Sequence, residues 1–93
     1  MSLELKTFEI VNGIVLSINP FESKDDLPNL VKGKYVPVLV NREGASDSVL
    51  RRRLSYHLAN DLKRKGYDYG FEVTYHIDSD ECVASAIGYN LKN

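Results

Sequence analysis

The sequence has a single cysteine, Cys82, and no apolar run long enough to cross a bilayer. One thiol excludes an intramolecular disulfide and any zinc site built from several cysteines. A membrane helix needs about 20 predominantly apolar residues in succession, so no membrane span is predicted. No stretch combines a basic start, an apolar core and a cleavage site, so no secretory signal is expected either. The expected location is therefore the cytoplasm.

Glycine occurs at only six positions and never in the spacing of a phosphate-binding loop. Gly66 and Gly70 follow a predicted helix instead of preceding it, which puts them at the negative end of the helix dipole. The chain also lacks the glycine and aromatic pattern with which some open sheets stack RNA bases. The sequence therefore contains no nucleotide-binding motif, and no cofactor is predicted.

The 93 residues suit one domain, of which 43% are hydrophobic and 27% charged, as in ordinary soluble globular proteins. A chain of this length buries only about 60–65% of its unfolded surface, so its stability is expected to be modest unless it oligomerises. The first predicted hairpin has apolar residues on both faces. A homodimer in which a second copy covers that hairpin is therefore a further expectation.

The longest helical pattern runs from Ser46 to Gly66. Side-chain oxygens at residues 46–48 can cap the first turn, and basic residues at 63–65 precede a glycine that can end the helix. Leucines at every fourth residue from 50 to 62 predict one buried stripe. Arg51 falls within this stripe, where its head group is expected to reach Asp47 or Ser55.

Five strands are predicted around this helix, at residues 7–11, 14–18, 35–41, 69–77 and 82–91. Asn12 and Gly13 predict a tight hairpin between the first two. The continuous apolar run at 35–41 predicts a strand buried on both faces, with Pro37 at an edge or bulge. Residues 21–34 are expected to form an irregular loop. The fold class is α+β, in the order β-β-β-α-β-β, with an antiparallel or mixed five-stranded sheet and one helix across it.

The last two predicted strands alternate in character. The expected inner face of the first contains four apolar residues, Phe71, Val73, Tyr75 and Ile77. In the second, one face contains only small residues, Cys82, Ala84, Ala86 and Gly88. A face without bulky side chains allows the helix or another backbone to approach closely.

Positive charge is concentrated in the middle of the chain. Residues 32–67 include nine basic and three acidic residues, a net charge of +6, whereas the remainder carries −7. Lys and Arg on one helix face can contact phosphates, and tyrosine or asparagine can add a stack or a hydrogen bond. The alternative interpretation is an ordinary solvated face opposite the leucines. The predicted polyanion-binding residues are Arg42, Arg52, Arg53, Tyr56, Asn60, Lys63 and Arg64.

Two other groups of polar residues have both a chemical and an ordinary structural interpretation. His57 and Asp61 lie one helical turn apart, the spacing in which a carboxylate can orient a general base, although such pairs are common on helices. His76, Asp78, Asp80 and Glu81 surround a predicted turn, but their spacing matches no calcium loop. No catalytic residue and no metal site is predicted.

These patterns leave three hypotheses open. The first is a small non-enzymatic module that binds nucleic acid or an acidic protein surface through the basic helix. The second is a protein–protein regulator or inhibitor, of the kind that mobile elements encode, acting through acidic patches at Glu22, Asp25 and Asp26 and at Asp78, Asp80 and Glu81. The third is a small enzyme or ligand binder built on His57 and Asp61.

Overall fold

A computed structural model describes residues 8–18 and 29–92 of the chain. The elements are β1 (Phe8–Val11), β2 (Ile14–Ser17), β3 (Leu30–Asn41), α1 (Asp47–Arg64), β4 (Tyr69–Ile77) and β5 (Glu81–Leu91). The strands form one sheet in the spatial order β1-β2-β4-β5-β3. Only β2 and β4 pair in parallel, and the other neighbours are antiparallel. The predicted element order and α+β class are confirmed, and the sheet is mixed.

The predicted hairpin is confirmed. Asn12 and Gly13 have positive φ angles of 51° and 82°, the left-handed conformation that a tight turn between antiparallel strands requires. Ile14 and Leu16 of β2 point into the core, whereas Ile10 of β1 is 64% exposed on the other face of the sheet. Strand β2 is thus buried on the face that also carries the helix, whereas Glu9 of β1 is still 45% exposed on that face.

The helix ends close to where the sequence predicts. The Ser46 hydroxyl accepts a hydrogen bond from the Val49 amide at 3.4 Å, which satisfies one donor of the first turn. Gly66 takes a φ of 90°, and the Tyr67 amide donates back to the Leu62 carbonyl at 2.9 Å. The four leucines of the stripe have no exposed surface: Leu50, Leu54, Leu58 and Leu62.

The core lies between α1 and one face of the sheet. The small residues of β5 lie on that face, as predicted, and Cys82, Ala84 and Ala86 are buried there beneath the leucines. Full burial of a leucine side chain is worth about 1.5–3 kcal/mol, so the stripe is a main source of stability. The opposite face of the sheet has no helix among the described residues.

Strand β3 differs from the prediction in two ways. It begins at Leu30, so residues 30–34 are strand and not loop, and residues 21–28 of the predicted loop lie outside the described part of the chain. It is also not buried on both faces. Val36 is fully buried, but Tyr35 and Leu39 are 64% and 55% exposed. The reason is that Tyr35 and Leu39 lie on the face of the sheet opposite α1, which no element among the described residues covers. Because β3 is also an edge strand, the position expected for Pro37 is confirmed.

Strand β4 also departs from a simple alternation. Glu72 has a φ of 57°, and the register shifts between Phe71 and Thr74, as in a β-bulge. Because one extra residue reverses the facing of everything beyond it, Phe71 lies on the helix-free face while Val73 and Tyr75 face the helix. The predicted common face for Phe71 and Val73 is wrong. Phe71 instead packs against Tyr89, with ring centroids 5.1 Å apart.

Two glycines create a slot for the side chain that follows the helix. The ring of Tyr67 occupies the space where Gly33 of β3 and Gly88 of β5 lack a side chain, and a Cβ at position 88 would lie 2.5 Å from Cγ of Tyr67. The Tyr67 hydroxyl accepts a hydrogen bond from the Lys34 amide at 2.9 Å. This contact fixes the turn after α1 against the two strands.

The helix-free face exposes large apolar side chains towards the β3 edge. Tyr35 and Leu39 of β3 and Leu91 of β5 are each more than half exposed. The homodimer expected from the first hairpin stays a prediction. Exposed apolar patches often mark contact sites, so this patch on β3 and β5 is a second candidate surface for self-association. In residues 8–18 and 29–92, no helix is long and apolar enough to span a membrane.

Candidate functional site

Three cations lie on the solvent side of α1, opposite the leucine stripe. Arg52, Arg53 and Lys63 are exposed, and none of them forms an ion pair within the described residues. Tyr56 lies among them and is 53% exposed. We refer to these four residues as the basic face. Arg52 and Lys63 are separated by about 16 Å along the axis, because each residue of an α-helix advances about 1.5 Å.

Two of the predicted site residues on α1 already have partners. Asn60 is half-buried, and its side-chain oxygen accepts a hydrogen bond from the Asn12 amide group, which ties the helix to the β1–β2 turn. Arg64 forms an ion pair with Asp61, and Nζ of Lys65 lies 3.3 Å from the same carboxylate. Arg64 is still 74% exposed. Residues 61–65 contain three cations and one carboxylate, so this end of the helix has a net charge of +2.

Arg42 lies at the N-terminal end of α1 and is engaged on two sides. Its guanidinium pairs with Asp47 in the first helical turn and donates a hydrogen bond to the Asp78 carbonyl at 2.9 Å. The hydrogen bond that Arg42 donates to the Asp47 carboxylate, together with the negative charge of Asp47, raises the pKa of Arg42 above its ordinary value. Arg42 therefore connects the end of β3, the β4–β5 turn and the helix, and unlike the cations of the basic face it has an ion-pair partner.

A cleft of about 420 Å³ opens between β1 and the first half of α1. Its lining combines two guanidiniums, a phenol, two hydroxyls, a carboxylate and one apolar residue: Glu9, Val11, Ser48, Arg51, Arg52, Ser55 and Tyr56. Arg52 and Tyr56 belong to both the cleft and the basic face. The two surfaces are therefore continuous.

Arg51 does not reach the partners that the sequence predicts. Its guanidinium carbon lies 4.6 Å from the centroid of the Tyr75 ring, and Nη1 lies 4.0 Å from a carboxylate oxygen of Glu9. Asp47 is taken by Arg42, and the Ser55 hydroxyl hydrogen-bonds the Tyr75 hydroxyl at 2.6 Å. Arg51 is still 49% exposed, so part of its guanidinium remains accessible from the cleft.

The residues of the other two hypotheses are also located. His57 is exposed, with its ring 6.1 Å from that of Tyr56, while Asp61 is occupied by Arg64 and Lys65. The acidic residues Asp78, Asp80 and Glu81 are exposed at the β4–β5 turn. Among the residues that the structure describes, no three His, Cys, Asp or Glu side chains converge as metal ligands do.

Sequence reasoning found the basic face but not the cleft. The sequence predicts partners for Arg51 on its own helix, but this prediction is wrong, because its partners come from β1 and β4. The position of Arg51 on the helical wheel, next to the buried leucines, is the one feature of the sequence that indicates a partner on the sheet. Nothing local connects position 51 with Glu9, because the pairing depends on how the hairpin and the helix pack.

No protein family, curated protein or solved structure matches this chain.

Proposed function

We propose that this protein is a non-enzymatic binding module whose basic face engages a polyanion, nucleic acid in preference to an acidic protein surface. The observation that supports this most is that Arg52, Arg53 and Lys63 are exposed on one side of a single helix and form no ion pair within the described residues. Unpaired cations can neutralise phosphates without first breaking an internal contact.

The spacing of these cations also fits an extended anion. The roughly 16 Å between Arg52 and Lys63 covers about five phosphates of one strand, which are about 3.4 Å apart along a duplex axis. Tyr56 adds an aromatic ring within this span, and arginine and tyrosine are typical of nucleic-acid contacts. The sequence pI of about 6.1 argues for a local binding surface and against a general packaging role.

The two alternatives remain proposals of lower rank. An inhibitor acting on a basic partner would use the exposed acidic turn at Asp78, Asp80 and Glu81, while its other patch, Glu22, Asp25 and Asp26, lies outside the described residues. An enzyme or ligand binder at His57 would need Asp61 to leave Arg64 and Lys65. The proposal assumes a cytoplasmic location, since a lone free thiol such as Cys82 is typical of reducing compartments.

The test is binding of labelled single- and double-stranded DNA and RNA, measured by fluorescence anisotropy at two salt concentrations. The wild type is compared with Arg52→Gln/Arg53→Gln and with Lys32→Gln/Lys34→Gln, which removes the same charge from exposed positions on β3. We expect wild-type binding in about the micromolar range at low salt. The helix variant should lose most of it, and its salt slope should fall by about 1.4–1.8 for two lost phosphate contacts.

Equal losses in the two variants would show that net charge and not the basic face is responsible. No binding of any nucleic acid at low salt would remove this class of ligand. A protein partner that tolerates the helix variant but is lost with Asp78→Lys/Asp80→Lys would instead support the inhibitor hypothesis.

A further inference from the structure

The cleft beside the basic face contains groups that a bare phosphate-binding surface does not need. Arg51 and Arg52 supply guanidiniums, and Tyr56 supplies a half-exposed ring at the rim. Glu9 places a carboxylate, 45% exposed, at the opposite side of the same cleft. Glu9 is the ion-pair partner of Arg51, and because its carboxylate is 45% exposed it can also accept hydrogen bonds from donors of a ligand.

The positions of these groups divide the cleft into two parts. The guanidinium of Arg51 is held over Tyr75 and 4.0 Å from Glu9, which is too long for a good hydrogen bond. Its N–H groups therefore remain available to an anionic oxygen on the helix side. Glu9 lies on β1 and can accept hydrogen bonds on the strand side. A ligand with a phosphate at one end and amino groups at the other would satisfy both parts.

We propose that the cleft binds one unpaired nucleotide of a single-stranded nucleic acid, with its phosphate at Arg51 and Arg52 and its base between Tyr56 and Glu9. This inference rests on the proposed function and names its ligand more closely. A cleft of about 420 Å³ is within the usual range for small-ligand sites, about 300–1,000 Å³. A base can enter it only when it is not stacked and paired in a duplex, so the surface selects single strands.

The carboxylate also specifies the kind of base. Guanine presents two adjacent N–H donors on its Watson–Crick edge, and these match the two oxygens of a carboxylate such as Glu9. Thymine presents carbonyl acceptors on either side of one N–H group and would face the same carboxylate with like partial charges. The site therefore prefers guanine to thymine.

The experiment uses the full chain with three labelled probes: an all-thymine single strand, the same strand with one central guanine, and a duplex of equal length. We expect the guanine strand to bind several-fold more tightly than the thymine strand and at least tenfold more tightly than the duplex. Tyr56→Leu should weaken single-strand binding about tenfold, since one base stack is worth about that factor. Glu9→Gln should remove the guanine preference and leave thymine binding intact.

The matched control is Tyr35→Leu, which replaces a tyrosine that is 64% exposed on the other side of the sheet. If Tyr56→Leu behaves like Tyr35→Leu and duplex binds as well as single strands, the cleft inference is overturned. The proposed function still stands in that case, provided Arg52→Gln/Arg53→Gln abolishes binding. Absence of binding to all three probes would overturn both.

Discussion

The guanidinium of Arg51 lies over the ring of Tyr75, 4.6 Å from its centroid, and thereby joins the first half of α1 to strand β4. The same phenol hydrogen-bonds the Ser55 hydroxyl at 2.6 Å. Tyr75 thus contacts two successive turns of α1. An arginine that faces a sheet is stabilised here because its charge is matched by an aromatic face and a carboxylate and not by water alone.

Tyr75→Phe is expected to lower the free energy of unfolding by about 1–2 kcal/mol, because it leaves the hydroxyl of Ser55, which is only 3% exposed, without its partner. The ring and its contact with Arg51 remain. Urea denaturation measures the change. In a Ser55→Ala background the same substitution should cost much less, and equal costs in both backgrounds would mean that the bond contributes nothing.

Gly88→Ala is expected to destabilise the protein by about 1–3 kcal/mol, the usual cost of overpacking. The new Cβ would lie 2.5 Å from Cγ of Tyr67, whose ring is held by the Lys34 amide and cannot easily move. Thermal and urea unfolding would measure the loss. Adding Tyr67→Ala should relieve the clash, so the double variant should lose less than the sum of the single changes, whereas strict additivity would contradict this packing.

Arg42→Gln is expected to change stability more than polyanion binding. Asp47 is 72% exposed, so solvent screens its pairing with Arg42 and the loss of stability in urea denaturation should be small. Arg52→Gln should show the opposite behaviour, weakening heparin binding with little change in stability, because its guanidinium has no ion-pair partner in the described part of the chain. A larger binding defect for Arg42→Gln would place that residue in the binding surface after all.

Alkaline pH is expected to reduce stability through Tyr89. Burial, and secondly the negative charge of Glu72, raise the pKa of Tyr89 above its ordinary value of 10.0. Above that value Tyr89 ionises in the unfolded chain but keeps its proton in the folded chain. The free energy of unfolding therefore keeps its full value below about pH 10 and falls as the pH rises through the folded pKa. Urea midpoints from about pH 8 to about pH 11 should fall less steeply in Tyr89→Phe. Tyr56→Phe, which removes an exposed phenol, serves as the control and should follow the wild type.

Self-association is expected through the exposed apolar side chains of β3. Tyr35 and Leu39 are 64% and 55% exposed on the same helix-free face, and a second copy with the same patch would cover them. Sedimentation should detect dimers at high protein concentration. Tyr35→Ser/Leu39→Ser should sediment as a monomer, whereas Tyr56→Ser, an equally exposed tyrosine on α1, should not alter the mass. A wild-type protein that remains monomeric at about 100 μM, well above the micromolar range of typical complexes, would contradict the prediction.

Local chemistry was sufficient for the elements whose signals lie within a few residues. The caps and the four leucines of α1, the Asn12 and Gly13 turn, and the small-residue face of β5 could all be predicted, because helix periodicity, turn conformation and strand alternation are short-range properties. The same holds for the basic face, which needs only the helix and its buried side.

Only the tertiary structure decided how distant segments meet. The bulge at Glu72 puts Phe71 and Val73 on opposite faces of the sheet. Strand β3 lies at the edge of the sheet, and its side chains on the face opposite α1 are exposed. The cleft is lined by Glu9 of β1 and Arg51 of α1, and Tyr75 of β4 packs against Arg51, so its geometry depends on three elements far apart in the chain. Sequence alone determined the type and order of the six elements, although β3 begins five residues before its predicted start. Register, edge position and long-range charge pairing depend on the whole sheet packing against the helix, because a one-residue shift in any strand changes which side chains face one another.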